Sequence, residues 1–137
     1  MAFEFPIRIY WEDTDAGGIV FYANYLKFFE RARTEWLRAL GIHQRQLREQ
    51  CGGMFVVADA ALKYLRPARL DDELIVTARL QEAGRAGMVL AQQAFLVGAT
   101  PSNLTLLCEG RIRAGWVDAQ TMKPARIPSD ILQKLDP

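Results

Sequence analysis

Hydrophobic and polar residues alternate at the start of the chain. The apolar positions are every second residue: Phe3, Phe5, Ile7, Ile9 and Trp11. A period of two, with aromatic and β-branched side chains, predicts a strand over residues 3–11 with one buried face.

The spacing of the apolar residues then changes to four and three. The repeat consists of Tyr25, Phe29, Ala32, Trp36 and Leu40. This spacing is typical of the apolar stripe of an amphipathic helix. We expect the helix to begin near residues 22–24, where Asn24 is a candidate cap. We expect it to end before Gly41, since glycine is common just after a last helical turn.

The period of two returns in the second half of the chain. A short polar helix over residues 43–50 comes first. The alternation then predicts four strands, over residues 55–65, 74–81, 88–96 and 104–116. Glycine, proline and aspartate are frequent between them, which indicates turns. A short tail helix is expected over residues 130–135 after Ser129.

This order of elements predicts an α+β fold in a single domain, residues 1–137. One strand, one long helix and four consecutive strands favour an antiparallel five-stranded sheet wrapped around the long helix. The strand over residues 88–96 is apolar on both faces, with Val89 and Phe95 opposite Met88 and Leu90. Only one face can meet the helix. The sequence therefore predicts an oligomer, at least a dimer.

The composition and charge of the chain argue against several classes of protein. The chain has 137 residues and a net charge of +1, with both signs scattered along it. This balance gives no electrostatic footprint for nucleic acid. No segment approaches the roughly 20 apolar residues of a membrane span, and no signal peptide is recognisable. We therefore expect a cytoplasmic protein without a membrane span.

The metal-binding residue types are sparse. Cys51 and Cys108 lie far apart and match no metal spacing, so two reduced cysteines are expected. His43 is the one histidine, which excludes a site of several histidines within one subunit. We expect His43 to be an exposed residue at the start of the short helix. No metal ion and no cofactor is predicted.

Candidate chemistry is concentrated between the first strand and the long helix. Glu12, Asp13 and Asp15 precede Gly17 and Gly18. Carboxylates before glycines are also common in solvated turns. Here, however, a helix start follows, which offers unpaired N–H groups and the positive end of a dipole. A carboxylate facing such a helix start suits attack on a carbonyl group.

The same region resembles a known family. The matching motifs are Arg8-Ile9, Thr14-Asp15 and Gly18-Ile19-Val20. They resemble the signature of the 4-hydroxybenzoyl-CoA thioesterase family, which has the hotdog fold. Residues 25–37 and 63–74 are similar to one branch of it, the bacterial acyl-CoA thioesterases associated with the Tol-Pal envelope system. The resemblance covers most of the chain.

The resemblance implies roles for two residues. In this family a carboxylate at the position of Asp15 is catalytic, and the backbone N–H at Tyr22 polarises the thioester carbonyl. In the matched branch a histidine is common at the position of Tyr22, so this chain departs from the pattern there. Family members join edge to edge with the active site between subunits. The resemblance thus implies a homodimer or homotetramer.

The function expected from these observations is hydrolysis of an acyl-CoA thioester to a free acid and coenzyme A. The residues leave open whether Asp15 acts as a general base or as a nucleophile. The alternative is a non-catalytic module on the same fold, which either binds acyl-CoA or acts as a partner of the envelope machinery. A hotdog dehydratase ranks third. Its chemistry usually requires a catalytic histidine, and the one histidine of this chain, His43, lies outside the matched loop. The candidate partners of the coenzyme A phosphates are Lys63, Arg66, Arg69, Arg111 and Arg113.

Overall fold

The computed structural model describes residues 2–135. The elements follow in the order β1 (Phe3–Arg8), a 3₁₀ turn (Trp11–Asp13), α1 (Asn24–Ala39), α2 (Gln44–Cys51), β2 (Gly53–Tyr64), β3 (Glu73–Ala83), β4 (Gly87–Val97), β5 (Leu104–Asp118) and α3 (Ser129–Leu135). Among these residues no helix is both long enough and apolar enough to cross a membrane.

The five strands form one antiparallel sheet in the order β1-β3-β4-β5-β2. The predicted α+β class and five-stranded antiparallel sheet are therefore confirmed. The prediction of a sheet wrapped around one long helix is too simple. Three helices contribute to the core, because Leu47 of α2 and Ile131 of α3 are buried in the same cluster as Trp36 of α1.

Helix α1 lies against the sheet through a wide apolar face. Its buried residues are Tyr25, Phe28, Phe29, Ala32, Trp36 and Leu37. Burial of each large apolar side chain contributes about 1.5–3 kcal/mol to folding. The ring of Phe29 comes so close to β5 that a Cβ at Gly110 would lie 2.8 Å from a ring carbon. Glycine at position 110 thus allows the helix to approach the sheet.

A fully buried glutamine joins α1 to two strands. Nε2 of Gln92 on β4 donates hydrogen bonds to the carbonyl oxygens of Phe29 (3.0 Å) and Thr77 (3.1 Å). Its Oε1 accepts a hydrogen bond from the guanidinium of Arg33 at 3.0 Å. Burial lowers the pKa of that guanidinium. Gln92 therefore fixes the height and rotation of α1 over the sheet.

The first two predicted strands differ from the structure in their bounds. The first strand was expected to reach Trp11, but β1 ends at Arg8. The cause is a 3₁₀ turn in which the Asp13 carboxylate accepts a hydrogen bond from the Tyr10 N–H at 2.8 Å. The second strand begins at Gly53 rather than residue 55, and it contains a bulge between Val57 and Asp59.

Candidate functional site

The acidic loop folds back on itself after the 3₁₀ turn. Thr14 pairs with Val20, and the Asp15 N–H donates to the Ile19 carbonyl at 2.9 Å. Gly18 closes the turn with a φ of +80°, a conformation that glycine adopts without steric cost. The Gly18 N–H donates to the Asp15 carbonyl at 3.0 Å. Asp15 is thereby held as the first residue of the turn in a short hairpin-like loop.

The carboxylate of Asp15 is exposed, and one of its two oxygens accepts a hydrogen bond. Its Oδ1 accepts a hydrogen bond from the Gly17 N–H at 2.9 Å. A Cβ at position 17 would lie 3.2 Å from this oxygen, which favours glycine there. No residue within 2–135 donates a hydrogen bond or forms a salt bridge to Oδ2. One oxygen therefore orients the side chain, and the other is available for chemistry.

The start of α1 is tied to the same loop. The Phe21 N–H and the side-chain amide of Asn24 both donate to the Asp13 carbonyl, at 3.0 and 2.8 Å. Asn24 was expected to cap the helix. Instead Ala23 is the N-cap residue, without a side-chain cap, because the Asn24 side chain is engaged by Asp13. The helix start thus has no polar side chain of its own over its first N–H groups.

Two backbone donors at this helix start are unpaired. In the part of the chain that the structure describes, neither the Tyr22 N–H nor the Ala23 N–H donates to any acceptor. Unpaired N–H groups at the positive end of a helix dipole are suited to binding an oxyanion. The loop therefore places a free carboxylate oxygen and two free donors in neighbouring segments.

An apolar cleft of about 300 Å³ opens beside the helix start. Its lining consists of Ile19, Val20, Tyr22, Tyr25, Tyr64, Leu65, Arg66 and Pro67. Tyr25 is only 3% exposed, and burial is the main cause that raises the pKa of its phenol to about 12. Tyr22 thus lines the cleft as well as the helix start. Asp15 does not line it within a single chain.

The other acidic residues have different surroundings from Asp15. Asp13 is engaged through both its carboxylate and its backbone in the turn. Glu12 is exposed and makes no hydrogen bond or salt bridge within residues 2–135. The five candidate cations are all exposed. Only Arg66 lines the cleft, whereas Lys63 and Arg111 line a depression of about 450 Å³ on the sheet.

The remaining candidates lie away from the site. His43 is an exposed N-cap residue of α2, as expected. Cys51 is exposed and Cys108 is buried, and burial raises the pKa of the Cys108 thiol to about 12. Within residues 2–135, no three histidine, cysteine, aspartate or glutamate residues cluster closely enough to hold a metal ion.

Comparison with known proteins identifies the family. The model of the thioesterase-like superfamily matches residues 9–135. The chain belongs to this superfamily. Membership of a hotdog thioesterase family, predicted from the motifs around Asp15, is thereby confirmed.

Individual thioesterases resemble this chain over nearly its whole length. It is 40% identical over 129 residues to the acyl-CoA thioesterase YbgC of Haemophilus influenzae, covering 94% of this chain and 90% of the relative. It is 39% identical over 130 residues to the acyl-CoA thioester hydrolase YbgC of an Escherichia coli O6:H1 strain, covering 95% and 92%. The class predicted from the sequence, a thioester hydrolase, is the class of these relatives.

Solved structures agree with this family. A probable thioesterase from Bartonella henselae superimposes with a TM-score of 0.82 at 28% identity, covering 93% of this chain and all of that one. A mutant 4-hydroxybenzoyl-CoA thioesterase complexed with 4-hydroxybenzoyl-CoA superimposes with a TM-score of 0.90 at 18% identity, covering 98% and 99%. The second similarity shows the hotdog fold alone.

The sequence did not indicate every residue that shapes the site of this thioesterase-like protein. It singled out Asp15 and Tyr22, which the structure places in one loop and helix start. It gave no role of their own to Tyr64, which lies in the second predicted strand and the matched stretch 63–74, or to Tyr25, which lies in the apolar stripe and the matched stretch 25–37. Tyr64 reaches Tyr22 across 42 residues of chain. No local pattern carries such a contact.

Proposed function

We propose that this thioesterase-like protein hydrolyses acyl-CoA thioesters, with Asp15 as the catalytic carboxylate and the Tyr22 N–H as an oxyanion donor. The observation that carries the proposal is the free Oδ2 of Asp15 in a loop bonded to a helix start with unpaired N–H groups. The acyl-CoA substrate class is that of the YbgC relatives. We also propose that residues 1–137 form a single domain.

The general-base route needs no further side chain. Asp15 takes a proton from water, and the water oxygen bonds to the carbonyl carbon of the thioester. The Tyr22 N–H donates to the oxyanion that forms. The C–S bond then breaks, its electron pair goes to sulfur, and the proton on Asp15 passes to the leaving thiolate. A thiol pKa near about 8.5 makes this leaving group good without a strong acid.

Direct attack by Asp15 is the second route to the same products. The carboxylate oxygen would bond to the carbonyl carbon and expel the thiolate, leaving a mixed anhydride that water hydrolyses. A single turnover in ¹⁸O-water identifies the anhydride route when water attacks the Asp15 carbonyl, because ¹⁸O then remains in the enzyme. General-base catalysis puts the label only in the released acid, and so does attack of water on the acyl carbonyl of the anhydride.

The decisive experiment is a hydrolysis screen over acyl-CoA substrates. Short aliphatic, long aliphatic and aromatic acyl-CoA would each be mixed with the protein, and released thiol would be measured. We expect release well above the uncatalysed rate for at least one class. If no class releases thiol but calorimetry still detects binding of acyl-CoA, hydrolysis is refuted. The remaining function is then that of a non-catalytic module that binds acyl-CoA. The panel also defines the acyl preference.

We further propose that the working unit is a homodimer or homotetramer with the site between subunits. Strands β1 and β2 form the two sheet edges, and unpaired edges require a partner or a cover. Val57 on β2 is 51% exposed. Asp15 lies outside the cleft within one chain, which suits a cleft completed by a neighbour. The cytoplasmic location and the Tol-Pal association stay predictions.

A further inference from the structure

A tyrosine outside the acidic loop holds the start of α1. Oη of Tyr64, the last residue of β2, donates a hydrogen bond of 3.0 Å to the carbonyl oxygen of Tyr22. Within the chain's own helix start, that carbonyl accepts only a long bond from the Tyr25 N–H, at 3.4 Å. The phenol of Tyr64 is therefore the closer partner of the Tyr22 carbonyl.

The ring of Tyr64 is itself held by its neighbours. It makes an edge contact with the Tyr22 ring, with centroids 5.9 Å apart, and a second with the Tyr25 ring at 5.7 Å. Burial and the nearby Cys108 raise the pKa of the Tyr64 phenol, so it stays a protonated donor at neutral pH. Tyr64 is thus both packed and able to donate to one fixed acceptor.

The geometry of a peptide bond transmits this contact to a second group. The Tyr22 carbonyl and the Ala23 N–H belong to the same planar trans peptide and point in opposite directions. A hydrogen bond that fixes the carbonyl therefore fixes the direction of the N–H. It also polarises the peptide and makes that N–H a stronger donor. The Ala23 N–H has no acceptor within residues 2–135.

We propose that Tyr64 is a positioning residue that orients the Ala23 N–H as a second oxyanion donor beside the Tyr22 N–H. The inference rests on the proposed thioester hydrolysis. Tyr64 does not touch the reacting carbonyl. It acts from β2 through the peptide between Tyr22 and Ala23, and it links the sheet to the helix start at the site of charge development.

Tyr64→Phe tests the proposal, because it removes the hydroxyl and keeps the ring. Removal of a whole oxyanion donor costs on the order of 10²–10³ in kcat. A misaligned donor retains part of its effect, so we expect kcat to fall about tenfold with KM within about twofold. Ser102→Ala is the control, since it deletes an exposed hydroxyl in the turn between β4 and β5, outside the cleft and the acidic loop. It should leave kcat unchanged.

A second readout does not depend on turnover. In a ¹H–¹⁵N spectrum of the full chain, loss of the hydrogen bond to the Tyr22 carbonyl should shift the Ala23 amide resonance strongly. Amides on the opposite sheet edge should keep their positions. A wild-type kcat in Tyr64→Phe, a rise in KM alone, or an unmoved Ala23 amide would each overturn the proposal. If the wild type hydrolyses no acyl-CoA, hydrolysis fails, and the amide shift alone decides whether Tyr64 orients this peptide.

Discussion

Three carboxylates within four residues have different surroundings in this loop. Asp13 is engaged in hydrogen bonds of the turn. Its carboxylate accepts from the Tyr10 N–H, and its backbone carbonyl accepts from the Phe21 N–H and the Asn24 side-chain amide. Glu12 is exposed and unbonded within residues 2–135. Asp15 alone combines a fixed orientation with a free oxygen. This difference in surroundings distinguishes Asp15 from the other two.

Asp15→Asn should remove the reaction and keep the fold. The amide oxygen can still accept from the Gly17 N–H, so the turn persists, but no group remains to take the proton. We expect kcat to fall by on the order of 10²–10⁴, with an unchanged melting temperature. Thiol release at matched circular dichroism is the measurement. Glu12→Gln, which neutralises an unbonded carboxylate nearby, should stay active; near-normal turnover in Asp15→Asn would move the base elsewhere.

Tyr22→Phe should retain most activity. The phenol of Tyr22 makes no hydrogen bond within residues 2–135, and the proposed donor is the backbone N–H, which phenylalanine keeps. Loss of an oxyanion donor would instead cost about 2.7–4 kcal/mol of transition-state stabilisation. Steady-state kinetics with one good substrate distinguishes the two cases. A loss of that size would show that the phenol takes part in the chemistry.

At the scale of elements, the regular patterns of the sequence predicted the helices and strands, but they did not reveal the individual contacts that end or distort them. Helix α1 was predicted within two residues at each end, because its apolar stripe is long and regular. The early end of β1 was missed, since a side chain of Asp13 interrupts an alternation that continues in the sequence. The bulge near Val57 and the contact of Tyr64 with Tyr22 were also missed. Both depend on the partner segment rather than on local pattern.

Gln92 is another residue whose contacts the sequence pattern does not reveal. The pairing of β3 with β4 stops after Val76 and resumes at Arg79. In this interval the amide of Gln92 bonds the Thr77 carbonyl. The alternation places position 92 on a strand face with apolar neighbours, but it does not reveal that the amide replaces part of the ladder.

Gln92→Met should destabilise the fold by about 1–3 kcal/mol, the cost of leaving buried polar groups unpaired. The Thr77 carbonyl and the Arg33 guanidinium would both lose a partner. Urea denaturation monitored by circular dichroism gives the change. Gln93→Met is the matched control, because the Gln93 side chain makes no hydrogen bond within residues 2–135. Equal stabilities of the two variants would contradict the bridging role of Gln92.

At the scale of the whole molecule, the exposed edge strand β2 indicates a homo-oligomer that a single substitution on this strand should dissociate. Light scattering at low micromolar concentration should give the mass of two or four chains. Val57→Lys puts a charge on this edge, so it should shift the mass towards one chain and lower thiol release together. Leu104→Lys, at an exposed position on interior strand β5, should change neither. A monomer with the full wild-type rate would refute the shared site.

The exposed indole of Trp11 in the 3₁₀ turn should report by its fluorescence whether the acidic loop is covered. Trp11 is 80% exposed and directly precedes the acidic loop, while Trp36 and Trp116 are buried. Acrylamide should therefore quench one emitter of three in an isolated chain. If a neighbouring subunit or a bound acyl-CoA covers the loop, that emission should move to shorter wavelength and become protected from the quencher. Concentration and ligand titrations of fluorescence then separate assembly from binding without any added label.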